Sequence, residues 1–579
     1  MGRAPEGWRR PGFQRPLAGL LFYIAALLLL TGPFLFLTAV VVPSRVQPFP
    51  EVDGSLIAVD DLLLLGWAVL DFGITTAVIR ACASLRNTDR SQIVPHLRLL
   101  LRWQLRISCV ISAAGVFFAL CVLPHTRFAQ LSLALLMRSC TAPLLAIAAL
   151  PALCEAVQRY DRQLVLELLD KRILSVLFPI PCVLILRGLS FSDEASRALI
   201  GVAIGQGASL LVTAGVGVRI IRRLGLPLRA LMSGALPPTE TRSALLRFGA
   251  GIMAGKAIFF IAGLAELSIV ATRLADFSTW LGVKSLLLGR LLQPMWLLWP
   301  FCETAMPSVA EALSAKLDAL AKSYVGRYLA LGHLFVATLF ALAWGSAPPL
   351  ISSELSAAWQ PAADLVPLAG LTGLLLPLSW IGDAVQRAAG HSGRNAGYLF
   401  GEQVLRLSLL AMLLPRFGLA GLFVASAIAA ASKTIAVLIH VHRRVLPLDV
   451  SVRSVFAAPL FAAFAVGSMS RMLVASGAIV GVGSMAFLLA AALAFPLAFL
   501  VTGLVGGWEP SALLELDEAK AMVPLHRLVA PVVALLAGAA KLGARLGPHT
   551  RDSVLTTLAI ANRGTLEARF ADSQPNRTN

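Results

Sequence analysis

The sequence predicts an all-α polytopic membrane protein of about fourteen transmembrane helices. Three observations carry this fold class. Apolar residues make up 58% of the 579 positions and charged residues only 14%, where a soluble domain holds about 45–50% and about 25%. Mean hydropathy is +0.80. The apolar residues also come in continuous runs with no strict alternation, which excludes an outer-membrane barrel. Ordinary soluble enzymes, disordered chains and fibrous proteins are excluded by the same figures.

A crossing needs about 20 apolar residues. By that rule six spans fall at 17–42, 56–79, 99–123, 128–153, 164–186 and 198–221. Six more fall at 244–271, 278–302, 325–347, 363–385, 396–415 and 418–442, and a last pair at 454–474 and 478–505. The opening MGRAPEGWRRPGFQRP looks like the basic region of a signal peptide. The apolar run from Leu17 to Val42 is too long for a cleaved leader and no small-residue site follows it, so an uncleaved first span is expected.

Basic residues in alternate loops orient the chain. One side collects 24 of them, among them Arg9, Arg10, Arg86, Arg90, Arg222, Arg223, Lys322, Arg443 and Arg444, and the other side only 7. Both termini are therefore expected in the cytoplasm, with an even number of spans in the cell membrane. The same bias accounts for most of the +18 net charge and removes the reason to expect nucleic acid as a partner. The seven cysteines are scattered through apolar stretches with no CxxC pair, so neither a zinc site nor a disulfide framework is expected. GVGVRIIRRLG lacks the Lys-Ser/Thr of a phosphate loop. No cofactor or metal is expected.

An internal repeat divides the spans. Glu155-Ala-Val-Gln-Arg159 ends the fourth and Asp383-Ala-Val-Gln-Arg387 the tenth. Arg219-Ile-Ile-Arg-Arg223 ends the sixth and His440-Val-His-Arg-Arg444 the twelfth. The offsets are 228 and 221 residues. Six spans separate the copies, so both halves face the same way, an arrangement used by transporters. The expected organisation is a basic N-terminus (1–16), an N-lobe (17–221), a linker (222–243), a C-lobe (244–444), a helix pair (454–505) and a cytoplasmic tail (506–579). Within the tail, LVAPVVALLAGAAKLGARLG carries Lys541 and Arg545 and is read as an interfacial helix.

Several segments resemble the multidrug/oligosaccharidyl-lipid/polysaccharide exporter superfamily, in particular its polysaccharide-flippase branch. LDFGITTAVIR (Leu70–Arg80) is similar to that branch's second-span motif, and LLPRFGLAGLFVASAIA (Leu413–Ala429) to the join of its eleventh and twelfth spans. Phe248–Val309 resembles the seventh and eighth spans, with a central acid and then Pro307 and Ser308. Glu266 stands where members commonly have Asp, and Lys256 is not a fixed feature. The resemblance implies two six-helix lobes around a central cavity that work by alternating access. In the flippase branch the cargo is a lipid-linked diphosphate sugar moved from the cytoplasmic to the outer leaflet. The implied partners are that cargo and membrane lipids, with the chain a monomer, alone or beside enzymes of polysaccharide assembly.

Charges inside spans are costly, roughly 2.5–3.5 kcal/mol each at the bilayer centre, and should face a cavity or a partner. At 1.5 Å per residue, Lys256 lies roughly 14 Å beyond Arg247. Arg290, Arg138 and Arg406 are also near mid-span, and Arg106 continues the stripe of Arg98 and Arg102. Lys256, Arg290, Arg138, Arg106 and Lys284 are the candidate cationic lining for a diphosphate, with Arg offering bidentate contacts. Arg406 follows Glu402 by four residues and has the alternative of pairing with it. Asp71 and Glu266 are the candidate ion-coupling acids, with local pairing as the alternative. Glu155 and Asp383, near the inner interface, are read as structural, and Asp60-Asp61 as solvated. Pro143, Pro179, Pro181 and Pro294 are expected to kink their helices.

Two other functions remain open on the residues. One is a drug or small-molecule antiporter of the same fold. The other is a membrane glycosyltransferase using a polyprenyl-phosphate sugar, with Glu51 and Asp53 of the first outer loop as base and metal ligand. The absence of long outer loops argues against the transferase.

Overall fold

The computed structural model describes residues 13–36, 50–125, 131–144, 149–190, 192–226, 228–273, 292–296, 298–354, 360–448, 451–475, 483–523, 526–548 and 554–572, with positions 46, 284, 287 and 288 between them. Helices account for the architecture, and no strand occurs among the described residues. In chain order they are α1 (Gln14–Phe36), α2 (Pro50–Leu70), α3 (Ile74–Thr88), α4 (Ile93–Phe117), α5 (Ser132–Thr141), α6 (Ala149–Ala156), α7 (Tyr160–Leu168), α8 (Pro179–Arg187), α9 (Glu194–Arg223), α10 (Leu228–Met232) and α11 (Thr239–Arg273). The second half holds α12 (Ala305–Ser314), α13 (Asp318–Glu354), α14 (Gln360–Ala388), α15 (Ser392–Phe417), α16 (Leu419–His440), α17 (Ala458–Ala475) and α18 (Gly483–Leu504). The tail adds α19 (Pro510–Met522), α20 (His526–Leu546) and α21 (Val554–Asp572). Ten helices among the described residues are long and apolar enough to cross a membrane, or eleven if one bent pair is a single span. This is a multi-pass membrane protein.

That bent pair is Leu62–Leu70 with Ile74–Arg86, at 47°. The sequence predicted one continuous span there; the structure breaks it at Asp71-Phe72-Gly73. Phe72 and Gly73 both have positive φ, 50° and 67°. The break lets α3 meet α11 backbone to backbone. A Cβ on Gly73 would collide with the carbonyl of Gly249, and one on Gly249 with the carbonyl of Phe72. The fifth predicted span is also interrupted. After α7 the turn widens over Leu169–Leu174, and the helix resumes as α8 with Pro179 at its start. Asp170, Lys171 and Arg172 fall in the wide turn, and the prolines supply no backbone donor. Most of the predicted eighth span lies outside the described residues.

The chain forms two compact units, residues 30–257 and residues 1–29 with 258–579. This differs from a division at the inter-lobe linker. Within the second unit, α1 is anchored by its first turn. Arg15 Nη2 donates to Glu311 Oε2 of α12 at 3.1 Å, with the two side chains only 2% and 1% exposed. The Phe13 ring meets Tyr328 of α13 edge-on at 5.0 Å, with the Arg327 guanidinium 5.9 Å from its centroid. Tyr328 shares hydrogen bonds with Thr304 and with Ser308, the serine after Pro307.

The tail is packed against this unit. Gly543 sits on Leu500 and Gly503 of α18, and Gly547 on Gly503 and Leu504. Close approach at small residues is the usual basis of tight membrane-helix packing. α20 itself is among the helices long and apolar enough to cross a membrane. In α19, Glu515 pairs with Arg327 and lies 3.8 Å from Arg563 of α21.

Candidate functional site

In the unit of residues 30–257, the broken span places Asp71 in a buried polar knot. Gly73 starts α3 in the left-handed region, which turns Asp71 toward α4. Asp71 Oδ1 accepts hydrogen bonds from Thr75 Oγ1 and from Gln104 Nε2, each at 2.6 Å. Gln104 Nε2 also reaches Thr75 Oγ1 at 2.7 Å, and Trp103 Nε1 donates to the Asp71 carbonyl at 3.2 Å. These donors offset the desolvation of a carboxylate inside a helix pair. Arg80, on the same helix as Thr75, lies over the Phe248 ring at 5.0 Å.

Arg138 does not stand alone in this unit. It donates to Asp60 of α2, so Asp60 is an ion-pair partner in place of the solvated acid expected. The arginine stripe on α4 divides. Arg98 donates to the carbonyl of Ala235, and Arg102 to Met232 at 2.6 Å. Both thereby hold the strap that follows α9. Arg106, one turn further, is exposed. Lys256 belongs to α11, but its side chain lies outside the described residues, as does the whole of Arg290. Asp53 lies in α2 with its side chain likewise outside the description.

In the other unit two cations converge on one acid. Glu266 of α11 is buried. Its Oε1 accepts from Lys284 Nζ at 2.6 Å and its Oε2 from Arg406 of α15. Arg406 therefore does not take the i, i+4 pairing with Glu402 that the helix offers. Lys284 and Glu266, predicted as a cargo contact and a coupling acid, form one site. Lys284 keeps 32% of its side chain exposed, against 6% for Glu266. Arg406 sits fourteen residues into a 26-residue helix, about 21 Å along it at 1.5 Å per residue.

A second buried network surrounds Lys433 of α16. Its Nζ donates to Asp383 Oδ2 of α14 at 2.7 Å and lies 3.6 Å from Glu402 Oε2 of α15. Asn395 donates to Asp383 Oδ1 at 2.6 Å. Four residues on from Asp383, Arg387 donates to Glu303 at 2.7 Å. In the first copy of the repeat Glu155 accepts from Gln163 instead, at 3.2 Å, and Arg159 pairs with Asp161 at 2.9 Å. The repeated pentapeptide thus serves as a polar knot in both copies, with different partners. Sequence reasoning missed Lys433, although a lysine inside the predicted span 418–442 is the signal that singled out Lys256.

No protein-family model matches the chain, and no curated protein matches it. Solved structures do. A MATE in the straight conformation aligns with TM-score 0.59 at 13% identity, over 76% of this chain and 97% of that one. An outward-facing multidrug resistance MATE family transporter of the MOP superfamily aligns at 0.58 and 11%, over 76% and 97%. The chain has the MATE transporter fold. A MOP superfamily transporter from Pyrococcus furiosus, whose reverse pocket polarity is taken to suggest a different function, aligns at 0.56 and 13%, over 76% and 99%. The likeness bears out the fold that the resemblance implied. At these identities the likeness concerns the fold alone and does not single out the flippase branch.

Proposed function

We propose that the chain is a membrane transporter that carries an anionic, lipid-linked diphosphate sugar from one leaflet to the other by alternating access. The observation that carries this reading is the convergence of Lys284 and Arg406, the latter midway along α15, on the buried Glu266. Two cations against one carboxylate leave this trio with one formal positive charge, and Lys284 is its accessible member. A diphosphate offers such cations an anionic partner, bidentate in the case of Arg. Arg290, from the same predicted span as Lys284, joins the trio in this proposal. The Pyrococcus furiosus neighbour, whose reverse pocket polarity is taken to suggest a different function, supports the idea that this fold is not confined to one function.

A second reading is a multidrug antiporter. It is favoured by the multidrug resistance MATE among the neighbours and by the buried acids Asp71 and Glu266 and the part-buried Asp383, which suit a cationic drug or a coupling ion. One binding experiment separates the two. Purified protein is titrated with a polyprenyl-diphosphate sugar and with a cationic dye, before and after Lys284→Ala. The flippase reading expects saturable diphosphate binding, weakened roughly tenfold by loss of one charge-assisted contact. Dye binding with no diphosphate binding favours the antiporter.

A further inference from the structure

We propose that the C-terminal tail is a conformational latch on the first turn of α1, acting through Arg327 of α13. All of its parts belong to one compact unit, residues 1–29 with 258–579, and it holds whatever the cargo. Arg327 stands where the tail meets the start of α1. Its Nη1 pairs with Glu515 of α19, and its Nη2 donates to Ser511 Oγ at 3.2 Å. The same guanidinium lies 5.9 Å from the centroid of the Phe13 ring, one residue before α1 begins.

Each side of this bridge is tied down further. The buried Phe13 ring also meets Tyr328 edge-on at 5.0 Å and Tyr324 at 6.1 Å, and the Phe13 carbonyl accepts from Leu17 N at 3.1 Å. On the tail side, Arg563 of α21 lies 3.8 Å from Glu515 and pairs with Glu518 at 3.0 Å. Thr556 of α21 donates to Glu509, just before α19, at 2.9 Å. α19 and α21 therefore bear on Arg327 together.

The coupling follows from burial. Arg327 is 14% exposed and Glu515 11%, and a cation so placed needs its carboxylate. A desolvated cation is also held by an aromatic ring more firmly than a hydrated one. Without Glu515 the side chain gains by turning to water, and the Phe13 ring loses its cation. A cavity lined by Phe13, Leu17 and Arg327 and by Trp508, Ala512 and Glu515 adjoins the bridge. The joint is incompletely filled, as suits a contact that opens and closes. Lifting α19 frees the start of α1, and docking it holds that turn. Because α1 continues past Leu29 into residues of the other unit, the latch acts on a helix that both units share.

The test is hydrogen–deuterium exchange of the full-length chain in detergent, read by mass spectrometry over α19, the first turn of α1 and, as a control, α16. Glu515→Gln/Arg563→Gln is expected to speed exchange in α19 and also, at least roughly fivefold, around Leu17, the lower end of ordinary coupling between sites. Exchange in α16 should stay as in the wild type. Coupling is reciprocal, so Phe13→Leu is expected to speed exchange in α19, and this variant decides the matter if the first does not fold. Unchanged exchange around Leu17 or in α19 in the tail variant, unchanged exchange in α19 in Phe13→Leu, or equal acceleration in α16 would overturn the proposal.

Discussion

Arg406 donates to Glu266, 140 positions earlier in the chain, and leaves Glu402, four positions earlier on its own helix, to Lys433. Local helix pairing is worth only a few tenths of a kcal/mol. A partner on another helix, buried with it, decides the choice because each unpaired charge there would be far more costly.

Glu266→Gln should therefore be destabilising, because it leaves Lys284 and Arg406 without their shared anion. Removing one member of a buried pair typically costs about 3–5 kcal/mol. Thermal unfolding in detergent checks this, with Glu266→Gln/Arg406→Met expected to recover much of the loss. A double variant no more stable than Glu266→Gln would contradict the pairing.

Lys433→Met should leave Asp383 and Glu402 facing each other without a cation. We expect a loss of the same order, about 3–5 kcal/mol, and partial recovery when Asp383→Asn and Glu402→Gln are added. Denaturation midpoints of the single and triple variants decide it.

Gly73→Ala and Gly249→Ala should each be severe. The first adds a Cβ at positive φ, and both drive it into backbone across the α3–α11 contact. Backbone strain of this kind costs about 1–3 kcal/mol before the clash is counted. Gly66→Ala, whose new Cβ would meet nothing, is the matched control and should leave Tm unchanged or raised.

Gly543→Leu should lift α20 off α18, since even a Cβ there would collide with Leu500. Limited proteolysis of the tail measures the outcome. Faster cleavage after residue 505 is expected in the variant, and an unchanged rate would mean that the small-residue contact does not hold the tail.

The all-helical membrane fold was legible because hydropathy acts over whole spans, and an apolar run of sufficient length leaves a helix few alternatives. The repeat was legible from Glu155–Arg159 and Asp383–Arg387. The break at Asp71-Phe72-Gly73 was not, because an apolar window averages over three residues, and only the meeting with Gly249 makes the left-handed turn favourable. Mid-span charges could be listed from sequence but not paired. Arg138 with Asp60, Lys284 with Glu266, and Lys433 with Asp383 join residues on different helices, a matter of tertiary packing. Lys256 and Arg290 carry the cargo proposal in sequence alone, since their side chains lie outside the described residues.

The most direct test of an anionic lipid-linked cargo is leaflet translocation of a polyprenyl-diphosphate sugar in proteoliposomes under a set membrane potential. Each charge moved across 100 mV is worth about 2.3 kcal/mol. We predict protein-dependent translocation that quickens when the side of cargo entry is made negative and falls at least roughly tenfold in Lys284→Ala. Translocation absent from the wild-type protein, or unaltered both by the potential and by Lys284→Ala, would contradict the account.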